Sequence, residues 1–154
     1  MSRLKLLACS LSAALILLAQ TQTPGPHGVD GSKTPDLIPD DVAYRFVLLS
    51  LIVPDNPTQL DLFKHNARLK RLAMDSANKQ RIEGVLVAFA REYTAWQSSI
   101  SSVPTTNLAE LQHLQIERDA LVSKYESLIS SQLSRESALI FKQYVTSQKT
   151  KMVY

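Results

Sequence analysis

A glutamate and a histidine three residues apart have the clearest metal-ligand spacing in the chain. Glu110 and His113 form a Glu-x-x-His step, which places a carboxylate and an imidazole on one face of a helix. A di-iron site in a helical bundle needs two such steps and two further glutamates, and the sequence contains one step. His65 follows Asp61 by four residues but belongs to no second step. Two interpretations remain: a metal-binding bundle or metal-dependent enzyme that uses Glu110 and His113, or a helix-capping glutamate beside a surface histidine.

Basic residues are concentrated between residues 64 and 81, where six Lys or Arg face one acid and the local charge is +5. The six are Lys64, Arg68, Lys70, Arg71, Lys79 and Arg81. Residues 30–61 have the reverse balance, six acids against two bases, and a local charge of −4. One interpretation is a binding surface for an anionic partner, such as phospholipid, lipopolysaccharide or an acidic protein or peptide. The other is a solvated helix face that pairs with the acidic segment.

Nucleic acid is excluded as a predicted partner, because no aromatic residue is interleaved with these cations as a base-stacking platform would require.

Catalytic motifs are equally scarce. The sequence has no Gly-x-Ser-x-Gly turn for a nucleophilic serine, and Gly84 is the one glycine after residue 38, so phosphate-cradling loops are excluded. We therefore predict no cofactor and favour a protein that is not an enzyme.

The N terminus has the layout of a secretory signal peptide. Arg3 and Lys5 precede residues 6–19, of which twelve of fourteen are apolar. That stretch would span about 21 Å as a helix, less than the roughly 30 Å hydrocarbon core of a bilayer. We predict a signal peptide over residues 1–19, cleaved between 19 and 22, and hence a periplasmic or secreted protein without a transmembrane helix in its mature form.

Removal of the signal peptide changes the composition of the chain. Of the 154 residues, 45% are apolar and the formal net charge is +3. Loss of Arg3 and Lys5 leaves 15 basic and 14 acidic residues, a net charge of +1, and the sole cysteine, Cys9, is lost as well. The mature protein is thus predicted to be stabilised by packing, without disulfides.

Glycine and proline separate a predicted tether from a predicted domain. Residues 20–37 contain three of the four glycines and three of the seven prolines, which is typical of a flexible tether. Residues 38–154 are predicted to form one domain, in which helical periodicity is interrupted at the prolines between 54 and 57 and at Pro104.

The first two helical segments differ in character. Segment 40–53 begins with Asp40 and Asp41 as candidate caps and is apolar on most sides, so we expect it to be the most buried element. Its apolar stripe is Val42, Phe46, Leu49 and Val53. The second segment begins at a Thr58 cap, and a further cap at Asp75 or Ser76 predicts a break. Along it, Leu60, Phe63, Ala67 and Met74 line one face, and Lys64, Arg68 and Arg71 line another.

The longest regular pattern follows this break. Apolar residues with a spacing of four and three residues predict a helix that packs along another long helix. They are Ile82, Leu86, Phe89, Tyr93, Trp96 and Ile100. Within this seam, Tyr93 and Trp96 are either core residues or an aromatic ligand-binding pair.

Two more helices complete the prediction. Asn107 caps a helix of about 25 residues whose apolar seam is interrupted by Arg118, a residue that either reaches water or is buried with a partner. Ser134 caps the last helix, whose inner positions include Phe141 and Val145.

The sequence therefore predicts an all-α bundle of four to five helices around a long antiparallel hairpin, 82–100 against 108–131. The favoured function is an exported, non-enzymatic module that binds a protein, a peptide or an anionic envelope surface. A homo-oligomer with the 82–100 seam between subunits is a further alternative.

Overall fold

The computed structural model describes residues 28–154, and these form five α-helices and no β-strand. A short 3-10 helix, Pro35–Leu37, precedes them. The helices are α1 Asp40–Leu51, α2 Gln59–Arg71, α3 Ser76–Ser101, α4 Leu108–Gln132 and α5 Arg135–Lys149. The predicted all-α class is confirmed. The predicted signal peptide and residues 20–27 of the predicted tether lie outside the described residues.

Helix α1 is the central element of the bundle, since it packs against each of the other four helices. Six of its twelve residues are buried: Val42, Ala43, Tyr44, Val47, Leu48 and Leu51. The predicted inner stripe is wrong at Phe46 and Leu49, which are exposed. Because α1 is apolar on most sides, the spacing of its apolar residues does not select the face that packs.

Helices α3 and α4 contact each other more extensively than any other pair of described helices. Ile82, Leu86, Phe89 and Tyr93 of the predicted seam are buried. The Phe89 ring lies 5.2 Å from the ring of Tyr125 in an edge-on arrangement. This seam is therefore occupied within the chain, which removes the sequence-based reason for placing a second subunit on it.

Polar side chains define where four of the helices begin. Thr58, Asp75, Asn107 and Ser134 each accept a hydrogen bond from the backbone N–H three residues later. The prediction fails at α1, where Pro39 occupies the cap position and no side chain caps the helix. Asp40 instead pairs with the buried Lys149 of α5 at 2.7 Å.

The described end of the predicted tether lies against the C terminus. Val29 and Tyr154 exchange two backbone hydrogen bonds of 2.6 and 2.9 Å, and the Gly31 N–H donates to the Met152 carbonyl at 2.8 Å. Gly31 is buried, and Val29 packs against the core. The two ends of residues 28–154 are thereby fastened to each other beside α5.

Candidate functional site

Helix α2 is the least buried helix of the bundle, with Leu69 as the one buried residue among its thirteen. It begins with a capping box: the Asp61 N–H donates to the Thr58 hydroxyl at 3.2 Å, and the Thr58 N–H donates to the Asp61 carboxylate at 3.0 Å. Hydrogen bonds from Thr58 hold the pKa of Asp61 below its ordinary value. Local sequence thus fixes where α2 begins, while few apolar contacts attach it to the core.

The side of α2 that faces away from the bundle is apolar along its centre. Leu60 is 57% exposed and Phe63 is 70% exposed, and Ala67 continues their row one turn further along. Leu60 and Phe63 of the apolar face predicted from the sequence are thus exposed, whereas Met74, its fourth residue, lies beyond the end of α2 and is buried in the core. Since exposed apolar residues are usually scattered, a row at helical spacing on one helix is a candidate contact surface.

Three cations flank this row. Lys64 lies one turn beyond Leu60, and Lys70 and Arg71 lie three and four residues beyond Ala67. All three side chains are exposed, and none forms a side-chain hydrogen bond or an ion pair with residues 28–154. We call this surface the outer face of α2: the row Leu60, Phe63 and Ala67, with Lys64, Lys70 and Arg71.

Arg68 belongs to the opposite side of α2, although the sequence groups it with the free cations. Its guanidinium donates a hydrogen bond to the carbonyl of Ser50 in the last turn of α1. His65 donates from Nδ1 to the carbonyl of Leu51 at 2.9 Å, and its Nε2 lies 3.5 Å from the Glu83 carboxylate. These two side chains satisfy carbonyls that have no partner within α1, and they orient α2 on it.

The two predicted binding residues on α3 are also not equivalent. Arg81 donates to the carbonyl of Gln132 at the end of α4, at 3.3 Å, and to Asn78 at 3.4 Å. Lys79 is partly exposed and has no ion pair among the described residues. Of the six predicted cations, Arg68 and Arg81 therefore serve internal contacts, and Lys64, Lys70, Arg71 and Lys79 are left for a partner.

The ion pairs of the acidic segment are formed with residues outside the basic cluster. In residues 30–61, Asp30 pairs with Lys33 at 3.5 Å and Asp40 pairs with Lys149. No ion pair in the described part of the chain joins this segment to the six cations. Lys64 lies close enough to the Asp61 carboxylate to help lower its pKa, whereas Lys70 and Arg71 have no acidic neighbour of this kind among the described residues.

Glu110 and His113 are both at the exposed start of α4. Glu110 accepts a hydrogen bond from the Asn107 amide at 2.7 Å, and its own N–H donates back to Asn107, as expected for a capping residue. His113 lies 3.5 Å from Glu117. Within residues 28–154, no group of three or more His, Cys, Asp or Glu side chains is arranged to hold a metal ion. Among the described residues, the fold therefore brings no set of further ligands to Glu110 and His113.

The predicted aromatic pair belongs to the core. The ring centroids of Tyr93 and Trp96 lie 4.9 Å apart, and the centroid of Tyr93 lies 5.3 Å from that of Phe89, with the two rings tilted. The Trp96 indole N–H donates to the carbonyl of Leu114 at 2.8 Å. Trp96, which is partly buried against the core, thereby joins α3 to α4.

Sequence reasoning missed a charged cluster between α1 and α4. Arg118 is buried and donates from Nε to the Asp119 carboxylate at 2.8 Å. Arg45 approaches the same carboxylate at 3.9 Å. Burial, followed by the positive charge of Arg118, lowers the pKa of Arg45. The interruption of the α4 seam at Arg118 was the sequence signal, but nothing local indicated Arg45 as its neighbour.

A shallow groove of about 150 Å³ lies beside the inner side of α2. It is lined mainly by apolar residues at the end of α1 and the middle of α3, with His65 and Glu83 at its polar side. Because those two side chains contact each other, the groove offers no free charged group to a ligand.

The chain matches no protein-family model, no curated protein and no solved structure. Among residues 28–154, no helix combines the length and the apolar character needed to cross a membrane.

Proposed function

We propose that this chain is an exported, non-enzymatic helical module that binds a partner through the outer face of α2. One observation carries the proposal: Leu60 and Phe63 are exposed in a single row, and unpaired cations flank that row on the same helix. A partner that presents both negative charge and apolar surface would complement this face.

The inner side of α2 supports the same function. Arg68 and His65 hold α2 on the end of α1, and Leu69 is buried beneath it. These contacts fix the rotation of the helix, so Phe63 cannot turn inward without loss of both hydrogen bonds. The apolar row is consequently a fixed feature of the folded surface and is preorganised for contact.

We also propose that α3 and α4 form an antiparallel hairpin that serves as the scaffold. Two hydrogen bonds support this arrangement. Trp96 near the end of α3 bonds to Leu114 near the start of α4, at 2.8 Å. Asn78 at the start of α3 accepts a hydrogen bond from the Ser134 N–H, just beyond the end of α4, at 3.2 Å. Such a scaffold would hold α1, and through it α2, in a constant position.

Site-specific photo-crosslinking in the exporting cell tests the proposal. A photoreactive phenylalanine analogue replaces Phe63 in one variant and Leu139 in another, because Leu139 of α5 is also an exposed apolar residue. We expect adducts from position 63 that are absent from position 139 and that decrease when Lys70→Glu is added. Equal labelling from the two positions, or no adduct with either protein or lipid from position 63, would refute the binding role of α2. Cell fractionation and N-terminal sequencing of the same protein test export and cleavage between residues 19 and 22.

A further inference from the structure

We infer that the partner of the outer face of α2 is the surface of a lipid bilayer that contains anionic phospholipid. This inference rests on the proposed binding role of that face and names its occupant. Helices that lie in a membrane interface place an apolar row toward the acyl chains and Lys or Arg side chains beside it, at the level of the phosphates. The outer face of α2 has this arrangement.

The apolar row supplies the part that enters the interface. Phe63 is 70% exposed and lies between Leu60 and Ala67, so the most protruding ring stands near the middle of the row. α2 has thirteen residues. At the helical rise it is about 20 Å long, and it can lie flat on a surface while its inner side stays on the bundle.

The cations on the outer face of α2 are placed where they can contact lipid headgroups. The side chains of Lys64, Lys70 and Arg71 have apolar stems beside the row and charged ends that can reach outward to phosphate oxygens. None of them would have to break an internal ion pair to do so. Asp61 is the single acid of α2, and its carboxylate is already engaged by Thr58 in the capping box. Negative charge on the helix is therefore confined to its first turn.

The shape of the surface favours a bilayer over a protein groove. The walls of a protein groove would have to fit beside a helix whose inner side is fastened to α1 by Arg68 and His65. What remains is a convex strip one helix wide, with a protruding aromatic ring and cations near it. A fluid, negatively charged surface can adapt to such a strip without a preformed cavity.

Vesicle co-sedimentation tests this inference with the protein purified in the form that cells export. The vesicles contain either phosphatidylcholine alone or equal parts of phosphatidylcholine and phosphatidylglycerol. We expect binding to the mixed vesicles, weak binding to phosphatidylcholine, and a decrease in binding as the salt concentration rises. Equal binding to the two kinds of vesicle would contradict the role of the cations.

Matched variants locate the contact on α2. Leu60→Ser is compared with Leu139→Ser, because both leucines are 57% exposed and neither change should disturb the core. Leu60→Ser is expected to weaken binding about tenfold, the effect of removing one buried apolar side chain, and Leu139→Ser to leave it unchanged. Lys70→Ala is expected to weaken binding about fivefold, and Lys142→Ala, a like change on α5, to have no effect. Circular dichroism confirms that each variant is folded.

The outcomes separate this inference from the proposed function. If position 63 crosslinks to a protein and the wild-type protein binds neither kind of vesicle, the binding role of α2 stands and the membrane inference is wrong. If the protein binds vesicles but Leu60→Ser and Lys70→Ala bind as wild type does, another part of the chain makes the contact and the inference is again wrong. If neither crosslinks nor vesicle binding are found, both proposals are refuted.

Discussion

Gly31 lies directly against the carbonyl oxygen of Lys149, so closely that a Cβ atom at position 31 would stand 1.8 Å from that oxygen. The same atom would stand 2.9 Å from the Met152 carbonyl oxygen. Gly31 also donates its N–H to Met152, so the absence of a side chain is what lets the N-terminal segment reach the end of α5. Residues 20–37 contain three glycines, and the sequence does not indicate that Gly31 is the one that packs against α5.

Replacing Gly31 with alanine should therefore destabilise the protein. The N-terminal segment must move away from α5, and the expected loss in the free energy of unfolding is about 1–3 kcal/mol. Urea unfolding measures this loss. Hydrogen exchange should also show faster exchange of the Val29 and Tyr154 amides, because their mutual hydrogen bonds depend on the same approach.

Gly84→Ala is the matched control, since the same chemical change is made in the middle of α3, where a Cβ would meet nothing within 4 Å. Alanine favours a helix over glycine, so this variant should gain about 0.5–1 kcal/mol of stability. The two substitutions are thus expected to have opposite signs. Equal effects would show that residues 28–34 do not pack on α5 in solution.

Glu92 should make stability depend on pH in the acid range. Its carboxylate accepts hydrogen bonds from Lys124 at 2.7 Å and from the Tyr125 hydroxyl at 2.9 Å. These bonds, that of Lys124 first, lower the pKa of Glu92 below its ordinary value of 4.5. A carboxyl group with a lowered pKa in the folded state stabilises the protein above pH 4.5, and this contribution is lost as the pH falls through the lowered pKa.

Comparison of wild type with Glu92→Gln by urea unfolding tests this dependence. The variant should be less stable by about 1 kcal/mol at neutral pH, with a difference that disappears in acid. In a Tyr125→Phe background the effect of Glu92→Gln should be smaller at neutral pH, because one of the two donors is absent. A difference that stays constant down to low pH would contradict the assignment.

Substitutions of Arg118 and of Asp119 should cost unequal amounts of stability, although the two side chains contact each other. Arg118 is buried, so removing its carboxylate partner leaves an uncompensated charge close to Arg45. Asp119→Ala should cost about 1–2 kcal/mol, since it leaves the buried Arg118 guanidinium without the carboxylate that accepts its hydrogen bond, while Asp119 itself is partly exposed. Arg118→Met removes the charge and keeps an apolar chain of similar length, and it should cost about 1 kcal/mol or less.

Adding Arg45→Met to Asp119→Ala provides the control for this explanation. Part of the lost stability should return, because the two guanidinium groups no longer repel each other beside a missing carboxylate. If Arg118→Met proves the more damaging single change, the pairing with Asp119 is not what stabilises Arg118 in the fold. Thermal unfolding monitored by circular dichroism suffices to rank all three variants.

Features that depend on neighbouring residues could be predicted from the sequence. The caps at Thr58, Asp75, Asn107 and Ser134 each involve residues within three positions of one another, so the sequence alone indicates where four helices begin. The seam from Ile82 to Tyr93 was equally clear, because a long regular repeat leaves one face for packing.

Features that depend on distant contacts could not be predicted. The orientation of α2 is set by Arg68 and His65, whose acceptors are carbonyls of α1, and backbone carbonyls have no sequence signature. For the same reason the sequence predicts a cap at Asp40, although its partner in the fold is Lys149 at the other end of the domain. The same limit applies to the outer face of α2. The sequence shows its residues, but their exposure depends on contacts on the other side of the helix.

Arg68 and Lys70 provide the last prediction, because they are similar cations on the same helix with different surroundings. The Arg68 guanidinium caps the Ser50 carbonyl of α1, whereas Lys70 points to solvent and has no side-chain partner among residues 28–154. Arg68→Ala should lower the free energy of unfolding by about 1–2 kcal/mol, the loss of a charged hydrogen bond at a half-buried site. Lys70→Ala should change it by less than about 0.5 kcal/mol. Urea unfolding of the two variants measures this contrast, and equal losses would mean that α2 is not held on α1 through Arg68, in which case the exposure of Leu60 and Phe63 would lose its structural cause.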